Sequence, residues 1–165
     1  MLEELFSKPI VVFGCGNTLF GDDGFGPAVV EYLEKKCLLP DSVAAVDVGT
    51  SIGDLLFDFL LIPTKPTHMF IVDAMSQEGR EPGELFELNI DEVPAKKSSD
   101  FSLHQFPSVN LLQEMHNIAG VNVRILAVQV KGIPDVVQPG LSSEVEGAIP
   151  GACEWLLREI GQIKR

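Results

Sequence analysis

The chain is short of cysteine, of basic residues and of long apolar runs. Only 3 cysteines occur among 165 residues, and Cys15, Cys37 and Cys153 form no Cys-x-x-Cys pair. Neither a disulfide framework nor a thiolate metal site is indicated, and a reducing cytoplasm fits best. Lysine and arginine together number 12 against 24 acidic residues, a formal charge of -12. The paired cations (Lys35-Lys36, Lys96-Lys97, Lys164-Arg165) lie far apart, which argues against nucleic-acid binding, because phosphate neutralisation needs clustered cations. Met1 to Lys8 lacks the basic start and apolar centre of a secretory signal, and Leu55 to Ile62 is too short and too interrupted to span a bilayer. A soluble protein with no membrane partner is expected, with residues 1–165 forming one domain large enough for a full core.

Against those absences stands a regular alternation of apolar runs and amphipathic stretches. Pro9-Ile-Val-Val-Phe-Gly14, Val43 to Val48, His68 to Ala74 and Val123 to Val130 read as buried strands. Pro27 to Lys36 and Asp54 to Leu61 read as helices between them. A third helix places Leu111, Leu112, Met115, Ile118 and Ala119 on one face and stops at Gly120. Glu84 to Leu88 reads as an added antiparallel strand, and Lys96 to Pro107 as a loop. Ser143-Glu-Val-Glu146 has the form of a capping box opening a C-terminal helix, which Pro150 is expected to kink. The expected fold is α/β, a three-layer sandwich with a mainly parallel twisted sheet and helices on both faces.

The chemistry is expected at the first strand-to-helix crossing, Gly14-Cys-Gly-Asn-Thr-Leu-Phe-Gly-Asp-Asp-Gly-Phe-Gly26. Ligands of open α/β sheets sit at the carboxyl ends of strands. Two adjacent carboxylates without a basic neighbour suit a cation or proton transfer better than a phosphate. A mainly parallel sheet lines up its strand ends, so Asp23, Asp73 at the end of the third strand, and His104 from the loop before helix three are candidates for convergence. Two carboxylates and an imidazole suit Ni(II), Zn(II) or Cu(II), with open positions for substrate. The same groups suit general acid–base work. The competing structural reading is that Asp22 or Asp23 caps the helix and that Asp73 satisfies turn amides. His68, at the start of its strand, belongs at the opposite edge of the sheet, while His116 in helix three and Cys15 read as structural.

Two rivals come from short motifs. Gly14, Gly16 and Gly21 resemble a dinucleotide loop, but the third glycine falls too late and two aspartates would face the pyrophosphate. Gly49-Thr-Ser-Ile-Gly53 satisfies the nucleophile-elbow pattern after a strand, which would make Ser51 the nucleophile of a small serine hydrolase with Asp73 and His104 as partners.

The block Phe13-Gly-Cys-Gly-Asn-Thr-Leu-Phe-Gly-Asp-Asp-Gly-Phe-Gly-Pro27 is followed in order by Asp47-Val-Gly-Thr50, Ile71-Val-Asp-Ala74 with Pro82-Gly-Glu84, and Ser102-Leu-His104. Together these resemble the nickel-iron hydrogenase maturation endopeptidases. The His104-Gln-Phe-Pro107 run and the Pro139-Gly-Leu-Ser142 approach to the last helix look like the branch serving deazaflavin-coenzyme-reducing hydrogenases. The resemblance implies an endopeptidase that removes the C-terminal extension of a hydrogenase large-subunit precursor after nickel insertion. It implies metal contact through Asp23, Asp73 and His104, with Asp22 as a neighbour. It further implies nickel presented by the precursor rather than held permanently, hydrolysis through Asp23 and Asp73 by an open route, and a monomeric cytoplasmic protein. A non-catalytic nickel-binding escort of the subunit is the alternative from another class.

Overall fold

The computed structural model describes residues 2–90, 109–117 and 119–164. In chain order the elements are α1 (Leu2–Phe6), β1 (Ile10–Cys15), a 3-10 turn (Gly21–Gly24), α2 (Phe25–Lys36), β2 (Val43–Gly49), α3 (Ile52–Leu61) and β3 (His68–Met75). There follow β4 (Leu85–Leu88), α4 (Val109–Asn117), β5 (Asn122–Gln129), α5 (Ser143–Glu146) and α6 (Ile149–Gly161). The five strands lie in the order β2-β1-β3-β5-β4. β1, β2, β3 and β5 are mutually parallel and β4 runs antiparallel along β5, so the expected α/β sandwich is what forms.

The side-chain period of two divides each strand between two cores. Val11, Phe13, Met69, Ile71 and Ile125 pack on one face against Phe6, α3 through Ile52, Leu56 and Phe59, and α4 through Leu112 and Met115. Ile10, Val12, Phe70, Val72 and Leu126 pack on the other against α2 through Val29 and Leu33, and α6 through Ala152, Leu156 and Ile160. Because both faces are covered, β1 is buried along its whole length, which is why it reads as an unbroken apolar run.

Three expectations are corrected. α2 begins at Phe25, two residues before Pro27, because the 3-10 turn leads directly into it. The cap of α5 is Ser142 rather than Ser143, its side chain accepting the Val145 N–H. Pro150 does not kink one long helix: α5 ends at Glu146 and a separate α6 starts with the proline in its first turn, where its missing N–H is harmless. His104 and the 96–107 loop lie outside the described residues, as does Ile118 of the third helix.

Candidate active site

Four polar residues are nearly inaccessible among the described residues: Asp22, Asp23, Asp73 and Gln129. All four sit at or just beyond the carboxyl ends of β1, β3 and β5, so the burial of polar groups singles out one rim of the sheet. Burying an ionisable group is unfavourable unless partners compensate, and the loops over this rim supply them.

Glycines bring the Asp22-Asp23 turn down onto the sheet. Gly16 has φ +138, and a Cβ there would lie 1.8 Å from the Asp23 carbonyl oxygen. Gly26, in the first turn of α2, lets the helix sit over the strand ends, where a Cβ would lie 2.3 Å from the Cys15 carbonyl and 2.6 Å from that of Val72. These approaches explain the glycine density of the loop better than phosphate binding does.

Asp22 and Asp23 then take different roles. The Asp22 carboxylate accepts the Lys131 N–H at 2.9 Å, the Ser142 N–H at 2.7 Å and the Ser142 hydroxyl at 3.0 Å. It thereby ties the first loop to the 131–142 loop, which is also joined to it by Gly21 N–H to the Gln138 carbonyl and Gln138 N–H to the Leu19 carbonyl. Asp23 is fully buried and accepts the Asn17 N–H at 2.9 Å. Neither side chain caps α2, whose N-cap is Gly24, so the helix-capping reading is overturned. The turn-amide reading of Asp73 holds in one respect: its carboxylate accepts the adjacent Ala74 N–H at 2.8 Å.

Asp23 and Asp73 share a neighbour. The Cys15 thiol, fully buried at the end of β1, is held well above its usual pKa by burial and then by the carboxylates of Asp73, Asp47 and Asp23. Carboxylates from the loop after β1, from β2 and from β3 thus all act on one thiol. Two of them are the residues expected to carry the chemistry. Among the described residues no group of three metal-ligating side chains is assembled, and the third expected ligand, His104, lies outside them. Carboxylate oxygens such as those of Asp23 and Asp73 are suitable donors for a divalent cation.

The molecule compares closely with a group of known proteins. Residues 27–159 match the hydrogenase maturation protease (HycI) family. The chain belongs to that family. It is 36% identical over 165 residues to coenzyme F420 hydrogenase subunit delta of Methanothermobacter thermautotrophicus, covering 96% of this chain and 99% of that one. It is 33% identical to the hydrogenase 2 maturation protease of Escherichia coli, covering 90% of this chain and 88% of that protein. The solved structure of the E. coli hydrogenase-maturating endopeptidase HybD superposes with a TM-score of 0.75 at 30% identity, over 93% of this chain and 92% of that one. The family and the fold expected from the sequence are both borne out, and the protein is a protease of hydrogenase maturation.

Within this family the remaining expectations sort readily. His68 opens β3 opposite Ile10 and Asn122, at the far edge of the sheet. The Nδ1 of His116 lies 3.1 Å from the Val121 carbonyl, a structural contact. Ser51 has φ -97 and ψ 16 at the entry to α3, and no described non-glycine residue has positive φ. The strained turn that exposes an elbow nucleophile is therefore missing at Ser51. The sequence gives no structural role to Gln129 at the end of the last strand, yet its Oε1 accepts the Gln77 N–H at 2.8 Å and ties the segment after β3 to β5. Nor does it show the knot at Asp22. A glutamine inside a strand otherwise buried on both faces was the available signal for the first; nothing local marks the second.

Proposed function

We propose that this protein removes the C-terminal extension of a nickel-iron hydrogenase large-subunit precursor in the cytoplasm, and that Asp23, Asp73 and His104 contact nickel already seated in that precursor. The observation supporting this reading most strongly is the pair of fully buried carboxylates, Asp23 and Asp73, gathered at the ends of β1 and β3 in a fold of the maturation protease family. The similarity to an F420 hydrogenase subunit supports the deazaflavin-coenzyme branch as the source of the precursor.

A carboxylate held in a water-poor site is suited to take a proton from an attacking water. In this mechanism one of the Asp23–Asp73 pair activates water while the other fixes the scissile segment through the precursor's metal. Both carboxylates are inaccessible before the precursor arrives, so docking opens the rim, and a peptide that does not bring metal gains nothing from opening it. The orientation conferred by the metal is the larger contribution to rate, since correct placement of reacting groups can supply about 7–11 kcal/mol. The protein acts as a monomer in this scheme.

The test is processing of nickel-loaded precursor by Asp23→Asn, Asp73→Asn and His104→Ala, read by product mass, with circular dichroism to verify folding. Each variant is expected to remain folded and leave the precursor uncut. Unimpaired cleavage by any two of them overturns the site.

A further inference from the structure

β2 is the outer strand of the sheet, paired with β1 on one side, and among the described residues no strand pairs its other side. In a parallel ladder, alternate residues direct both backbone groups at the same neighbour. The Ile10 N–H donates to the Ser42 carbonyl at 3.2 Å, which sets the phase. Ala44 and Val46 therefore face β1, whereas Ala45 and Asp47 hold their N–H and C=O groups toward the open edge; beyond them the register shifts, and the Val48 carbonyl accepts the Ser51 N–H. Val43, one step earlier, already donates its N–H to the Pro40 carbonyl.

An open edge is a template for another strand, and proteins ordinarily blunt such edges with lysine, proline or a covering element. β2, with sequence Val-Ala-Ala-Val-Asp-Val-Gly, carries neither lysine nor proline, and its one charged side chain is the acidic Asp47. Beside it runs a groove of 580 Å³ between β2 and the flank of α2. Small residues, Ala28 and Ala45, give it room, and Glu31, Glu34 and Asp47 give it one sign of charge. Lys35 pairs with Glu31 but does not line the groove. Thr18, Gly21 and Gly24, from the loop that carries Asp23, also line it, as do Gly140 and Leu141. The groove thus has the open edge of β2 on one side and reaches the loop that carries Asp23, though not its carboxylate.

We propose that β2 is the substrate track: the C-terminal segment of the precursor binds in extended form as an added strand on Ala45 and Asp47, with a basic side chain lodged among Glu31, Glu34 and Asp47. The proposal rests on the endopeptidase reading above and adds where the peptide lies and which side chain the groove selects. Backbone pairing supplies affinity for any extended peptide, and the acidic wall supplies selection, the division of labour expected of strand addition.

Two variants test it with nickel-loaded precursor as the probe. Ala45→Pro removes an outward N–H, leaves the β1 ladder intact and suits an edge strand. The double change Glu31→Lys with Glu34→Lys reverses the charge of the wall on exposed helix positions. Each is expected to raise KM about tenfold, with kcat within about twofold, as loss of ground-state binding does. A wild-type KM for the charge-reversed protein overturns the proposal even where Ala45→Pro fails to fold, and leaves the endopeptidase reading standing. Failure of the wild-type protein to cut the loaded precursor overturns both.

Discussion

Ser142 donates twice to the carboxylate of Asp22, from its N–H at 2.7 Å and from its hydroxyl at 3.0 Å, across 120 residues of chain. With the Lys131 N–H on the same carboxylate, this knot fixes the loop that carries Asp23 against the approach to α5. Asp22→Ala would leave two backbone donors without their acceptor. A hydrogen bond to a charged group is worth about 1.5–3 kcal/mol, so a loss of about 2–4 kcal/mol is expected on urea denaturation. Asp22→Asn keeps one carbonyl and should lose less. Processing should fall in both, because Asp23 is the next residue. A change under about 0.5 kcal/mol for Asp22→Ala would mean that the knot does not hold the loop.

Gly16 and Gly53 make opposite predictions for the same substitution. Alanine at Gly16 would place a Cβ against the Asp23 carbonyl at a backbone angle that side chains rarely adopt, and should cost more than about 3 kcal/mol together with activity. Alanine at Gly53, in α3 with nothing within 4 Å of the new Cβ, should stabilise the protein by about 0.4–1 kcal/mol. Thermal melts of the two variants measure both. Equal effects would contradict the close approach of the loop.

Ser51→Ala should process precursor at the wild-type rate. Ser51 makes no side-chain capping bond to α3, so stability should also change by less than about 0.5 kcal/mol. Labelling of Ser51 by a fluorophosphonate with loss of cleavage would restore the serine-hydrolase alternative.

The cysteines give a test of burial at the rim. Cys15 is held up by burial and by Asp73, Asp47 and Asp23, and burial pushes Cys153 up to about 12. Thiolate is the reacting form, so alkylation of the folded protein at pH 8 should mark Cys37 alone, and denaturant should release all 3 sites. The unfolded chain releases the Cys15 proton near pH 8.5, whereas the folded protein retains it, so the stability contribution is complete below about pH 8.5 and declines as pH rises above it. Cys15→Ala should flatten that decline; rapid alkylation of Cys15 in the native protein would show an open rim instead.

Much of the scaffold was legible because its determinants are local. Ile10 to Phe13 and Met69 to Val72 are apolar at consecutive positions, as strands covered on both faces must be. β4 was legible as the short Glu84 to Leu88 run expected to add an antiparallel strand. The positions of Asp23 and Asp73 followed from the rule that parallel strands align their polar ends. Local signals failed where two neighbouring residues could play one part. Ser142 and Ser143 both precede α5, and the structure uses the first because its side chain also reaches Asp22. Asp22 and Asp23 are adjacent in sequence, yet one binds backbone 109 and 120 residues away while the other faces the strand ends. Only tertiary structure separates them.

On the proposed mechanism, cleavage is conditional on metal carried by the substrate. The direct test is the mass of the large subunit after incubation of this protein with nickel-loaded precursor and, separately, with rigorously metal-free precursor. The loaded precursor is expected to lose its C-terminal extension, the metal-free precursor to stay uncut, and nickel reconstitution of the latter to restore cutting. Efficient cleavage of the metal-free precursor would contradict that mechanism.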